Sequence, residues 1–181
     1  MELMRVTGRA DGESPRAGRT TLTAALAVAV LALSSCGVET VSERRKSTIT
    51  LEQAKAQVDA YLAEIQAKLP VEPLASTISD FSDMECDHND VGPHGRKETS
   101  RGYGFGNVPA ESRTEAAAAF RTLLMGKGFE MAPEATLDWV KLKNPKDKFV
   151  AVLDGVSDSS RNLSLNVSTP CVWPKGTPPP S

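Results

Sequence analysis

Residues 83–96 (DMECDHNDVGPHGR) form the most polar stretch of the chain and hold both of its histidines. Asp83, Glu85, Asp87 and Asp90 offer carboxylate oxygens, and His88 and His94 offer imidazole nitrogens. Such a donor mixture could hold a divalent cation. The spacing argues against the common designs. A calcium loop needs Asp or Asn immediately before its glycine, and Val91 stands there before Gly92. His88 and His94 are six residues apart with Gly92 and Pro93 between them, so they are no helical i, i+4 pair, and no C-x-x-C accompanies them. The expectation is a solvated loop. His88, His94 and Asp90 are its metal candidates, and the two histidines are candidate general bases with no identifiable nucleophile.

Other stretches suggest less. Nucleophilic catalysis would be signalled by a G-x-S-x-G elbow. Gly155-Val156-Ser157-Asp158-Ser159 resembles one only superficially and reads as a Ser/Asp turn. In Gly102-Tyr103-Gly104-Phe105-Gly106 the third glycine has the wrong spacing for a dinucleotide fingerprint. Tyr103 and Phe105 would share one strand face, where they either stack on a ligand such as a sugar or join the core. They are the ligand candidates. The sequons Asn162-Leu163-Ser164 and Asn166-Val167-Ser168 read as coincidence within a strand. No cofactor is expected, and the reading favours a noncatalytic domain over an enzyme.

Cysteine chemistry is more specific. Arg5, Arg9, Arg16 and Arg19 precede the apolar run 21–33 (TLTAALAVAVLAL). Thirteen residues of helix span roughly 20 Å, short of the ~30 Å hydrocarbon core of a bilayer. The run therefore reads as the core of a secretion signal. Leu33-Ser34-Ser35-Cys36 follows, which resembles the lipobox of bacterial lipoproteins. Two small residues let a peptidase close on the backbone, and the Cys36 thiol accepts a diacylglyceryl group. Two acyl chains hold a protein stably on a membrane where one does not. A plain secretion signal or an uncleaved anchor is the alternative. With Cys36 assigned to lipid, Cys86 and Cys171 remain, and an even pair in an oxidising compartment suggests a disulfide. Free thiols are the alternative.

These residues need elements to hold them. Thr50 and Gln53 form a capping-box pattern, and apolar residues from Leu51 to Leu69 recur at helical spacing as far as Pro70. Residues 71–82 read as irregular, and 97–105 as a strand. Pro109 opens a second helix that ends at Gly126. Strands are expected at 136–143, 148–154 and 162–168, the second as an apolar central strand and the third by strict alternation. The order helix, strand, helix and three strands implies an α+β fold. It would have about four antiparallel strands and both helices on one face. The disulfide would tie the loop before the first strand to the end of the last.

The expected organisation is a signal peptide over 1–35, a lipidated tether over 36–48, one domain over 49–173 and a disordered Pro-rich tail over 174–181. The net charge of −2 argues against a nucleic-acid grip.

The lipobox, the Cys86-Asp87 step, the Gly92-Pro93-x-Gly95-Arg96 run, Ser100-Arg101-x-Tyr103 and the closing Leu165-Asn166-Val167-Ser168-x-x-Cys171 together resemble uncharacterised actinobacterial lipoproteins. The LppA-type mycobacterial lipoproteins are more distantly similar. The resemblance implies an extracytoplasmic protein on the outer face of the cell membrane and supports the disulfide, but it implies no activity. Expected partners are the membrane through Cys36 and an envelope protein, peptidoglycan or a small molecule, with a cell-envelope enzyme or metal-binding protein as the alternative.

Overall fold

A computed structural model describes residues 41–74, 78–87, 93–157, 159 and 162–180. The elements, in chain order, are α1 (Val41–Arg44), α2 (Leu51–Gln66), β1 (Ile78–Glu85), β2 (Lys97–Phe105), α3 (Ala110–Gly126), β3 (Glu130–Met131), β4 (Trp139–Lys143), β5 (Val150–Asp154) and β6 (Leu163–Ser168). All the strands pair antiparallel in one sheet ordered β1-β2-β6-β5-β4-β3. The fold is α+β, as expected. The sheet has six strands rather than about four, and the element order differs accordingly.

The capping box at the start of α2 is formed in both directions. The Gln53 amide donates to Thr50 Oγ1 at 3.2 Å, and the Thr50 amide donates to Gln53 Oε1 at 2.9 Å. Leu51, Ala54, Val58, Leu62 and Ile65 form its buried stripe. The regular helix stops at Gln66, before Pro70, yet Leu69 is still buried. Helix α3 buries Ala116, Ala117, Phe120 and Leu124. These side chains join Val140, Leu142, Ala151, Leu153, Leu163, Leu165 and Val167 in one core. The other face of the sheet is left half-exposed, as the strict alternation along β6 records. Strand β5 reads as a buried apolar run, but only Ala151 and Leu153 are covered. Val150 and Val152 lie on the open face.

Strand β1 is the main departure from the expected order. Its sequence, ISDFSDME, lacks hydrophobic alternation because it is an edge strand held partly by charge. Asp80 pairs with Arg101 of β2, and Asp83 bonds Lys55 of α2 at 2.7 Å. The register shifts between Phe81 and Met84, and Asp83 takes a φ of 59° there. A bulge with inward charge is a device that protects a sheet edge from pairing with other chains. Strand β3 is two residues long, too short to leave a pattern.

Cys86 and Cys171 are bonded, with Cα atoms 6.0 Å apart. Because β1 exists, Cys86 lies between β1 and β2 rather than ahead of the first strand. The bond ties that connection to the segment after β6. Closing an 85-residue separation stabilises the fold by about 4 kcal/mol through loss of chain entropy in the unfolded state.

Candidate functional site

The disulfide sits in a corner where three distant segments meet. Next to Cys86, the buried Asp87 carboxylate faces Arg96. Arg96 Nη2 donates to Asp87 Oδ1 at 2.8 Å, and the Arg96 amide also donates to Asp87 Oδ2 at 3.3 Å. Burial alone would raise the Asp87 carboxyl, but the hydrogen bonds and charge of Arg96 outweigh it and hold the group below its ordinary value. The two side chains are only 5% and 3% exposed, so the pair is an ion pair shielded from solvent.

The third segment is the chain before α2. The Trp173 amide donates to Thr48 Oγ1 at 2.9 Å. Its indole Nε1–H lies 3.2 Å from the carbonyls of both Arg44 and Lys46. The Thr48 amide donates to Gly176 O, and the Leu51 amide to Pro174 O. Residues 41–48, expected to be tether, thus include the turn of helix α1 and a strap pinned under Trp173. Pro174 and Gly176, expected in the tail, complete the same clasp.

The metal candidates are only partly accounted for by this corner. His88 and Asp90 lie outside the described residues, as does Cys36. His94 Nδ1 lies 2.9 Å from the Asp87 carbonyl, which can only accept, so Nδ1 carries the proton and Nε2 is the nitrogen left to ligate. Cys86, Cys171 and Glu98 converge within 4.8 Å, but the sulfurs are bonded to each other and are not thiolate donors.

The ligand candidates divide. Phe105 is 1% exposed and belongs to the core, opposite Leu163 on the helix side. Tyr103, opposite Leu165, packs half-buried against that core. Neither faces the open side of the sheet. The glycines of the same strand do. A Cβ on Gly102 would collide with the Leu165 carbonyl and the Asn166 side chain. Its absence lets Asn166 lie across β2, where its Oδ1 accepts from Ser79 Oγ at 2.9 Å.

Register lays out the open face in rows. One row crosses Phe81, Ser100, Ser168, Val150 and Lys143. The next crosses Ser79, Gly102, Asn166, Val152 and Lys141. Beyond it lies Trp139, whose ring is 5.1 Å from Lys141 Nζ. Phe81 is 57% exposed at one edge. At the other edge an open cleft of about 410 Å³ is lined by residues that include Glu130, Glu134, Lys141, Lys143, Lys148 and Val150. Its lining excludes Tyr103, Phe105 and Trp139. From the β1 edge inward the face thus carries Phe81, then Ser100, Ser168 and Asn166, then Val150 and Val152 on β5, with Lys141 and Lys143 at the β4 margin. The sequence signals the face through the alternation of β6. It gives no sign of the Phe81 margin, because β1 itself is unexpected.

Among the described residues no helix is long and apolar enough to cross a membrane. No protein-family model matches the chain, and no curated protein or solved structure is detectably similar to it.

Proposed function

We propose that this protein is a cell-envelope lipoprotein, held on the outer face of the membrane by lipid on Cys36, and that its domain binds a partner noncatalytically through the open sheet face. The observation that carries the binding part is the uncovered face itself. Val150, Val152, Phe81 and Trp139 stay partly in water although both core helices pack on the other side. The anchoring part rests on Leu33-Ser34-Ser35-Cys36 behind its apolar run, and on the resemblance to actinobacterial lipoproteins.

Site-directed photocrosslinking in cells tests the binding part. A benzophenone side chain is placed at Val152 or Ser100 on the open face, or at Glu115 on the exposed side of α3. Discrete adducts are expected from the first two positions and none from Glu115. No adduct at Val152 and Ser100, or the same adducts at all three, would remove the open face from the account.

One observation favours a second reading, a metal-binding protein or envelope enzyme using the His88/His94 loop. The His94 ring is oriented by its bond to the Asp87 carbonyl, the way metal-binding imidazoles are held. Metal content of purified protein, measured for the natural chain and for His88→Ala and His94→Ala, decides it. Stoichiometric metal lost in both variants would establish it, and no bound metal would end it.

A further inference from the structure

We propose that the Lys-rich end of the sheet rests on an anionic lipid surface, so that the domain stands on the membrane in one orientation. The proposal rests on lipid attachment at Cys36, and three observations lead to it.

The first is reach. Only four residues separate Cys36 from Val41, where α1 begins. Five residue steps extend to about 18 Å at most. From Arg44 onward the chain is fixed under Trp173. The lipid therefore holds this end of the domain near the headgroups, where an eleven-residue free tether would have let it tumble.

The second is where the strands put charge. Strand β2 begins at this end, β6 finishes here, β5 begins here and β4 finishes here. The turn between β4 and β5 brings Lys143, Lys146 and Lys148 to the same end that carries Arg45, Lys46 and Lys175. Acidic residues are present too. Glu85 pairs with Lys97, and Glu98, Glu130 and Asp147 at this end offset part of the charge. Glu43 lies in α1 itself.

The third is the opposite end. There Asp138 and Asp154 sit at the far ends of β4 and β5, and Glu111 at the start of α3. The described basic residue there, Arg113, is buried and donates to the Gly155 carbonyl at 3.0 Å. Six exposed cations, Arg45, Lys46, Lys143, Lys146, Lys148 and Lys175, thus lie toward the anchor, and Glu111, Asp138 and Asp154 lie away from it. An anionic leaflet attracts the first and repels the second within a Debye length. Because two acyl chains already supply attachment, the basic end sets orientation rather than affinity. The open sheet face then stands roughly upright from the bilayer, accessible to a partner beside it.

Amine footprinting of the full lipidated protein on vesicles tests this. Vesicles of phosphatidylcholine alone are compared with vesicles containing phosphatidylglycerol, and E111K supplies a reporter amine at the acidic end. On the anionic vesicles, acetylation of Lys46, Lys146 and Lys175 should fall about threefold or more, the reporter should be unchanged, and about 0.5 M salt should restore labelling. The K146E/K175E variant, altered only at exposed positions, should lose the difference while still floating with both vesicles. Equal labelling on the two vesicle types, with the protein bound to both, overturns the proposal and leaves the anchor intact. Protein that floats with neither refutes the anchor, and the proposal falls with it.

Discussion

Trp173 holds Lys46 by a bond from its indole N–H to the main-chain carbonyl at 3.2 Å, across 127 residues of sequence. The contact joins the strap before α2 to the segment that follows the disulfide. Trp173 is almost fully buried although it stands eight residues from the end of the sequence. Trp173→Phe keeps most of the packing and removes the donor, which should cost about 1 kcal/mol. Trp173→Ala also empties the site and should cost about 3–5 kcal/mol. Urea denaturation measures both. Limited proteolysis should cut the 41–50 segment faster in the Ala variant, and unchanged cleavage would mean that the strap is held elsewhere.

The Asp87–Arg96 pair makes stability depend on pH in a stated direction. The Asp87 carboxyl is held below its ordinary value by Arg96, against the upward push of burial. A lowered carboxyl contributes stability that is complete above its unfolded value and is lost as pH falls through the folded one. Asp87→Asn removes the carboxylate charge that pairs with the buried Arg96 and should cost about 3 kcal/mol at neutral pH. Its urea midpoint should also vary less than that of the natural protein below about pH 5. An equal pH slope in both proteins would show that other carboxylates govern acid unfolding.

Gly155 and Gly128 provide an internal comparison. Both have positive φ, 87° and 84°. At Gly155 an added Cβ would overlap the Asn162 carbonyl, whereas at Gly128 nothing lies within 4 Å. Gly128→Ala should therefore cost only the backbone term, about 1–2 kcal/mol. Gly155→Ala should cost clearly more, because the turn that accepts from Arg113 must also shift. Thermal or urea midpoints of the two variants give the order, and equal losses would contradict it.

Much of this fold is legible residue by residue. The Thr50/Gln53 box, the apolar stripe behind it, the Pro109 and Gly126 boundaries of α3 and the alternation of β6 each carry a local physical signal, and each element forms where that signal lies. The two domain cysteines are legible because Cys36 has its own motif. Strand β1 is not legible, since Asp80 and Asp83 sit where apolar residues would signal a strand, and their partners Arg101 and Lys55 are distant in sequence. The clasp around Trp173 is also hidden. Polar, Pro-containing segments at both ends of a chain read as tether and tail until their backbone groups are seen to bond each other. Phe105 is a limit of another kind. Face assignment correctly groups it with Tyr103, but a strand pattern alone does not tell which face the helices cover.

The claim on which anchoring and orientation both depend is the lipid on Cys36. Growth with an alkynyl fatty acid, followed by capture and intact-mass analysis, measures it directly. The account predicts label on the natural protein, cleavage before Cys36, and complete loss of label in Cys36→Ser. Label that persists in Cys36→Ser, or a natural protein that carries none, would contradict it.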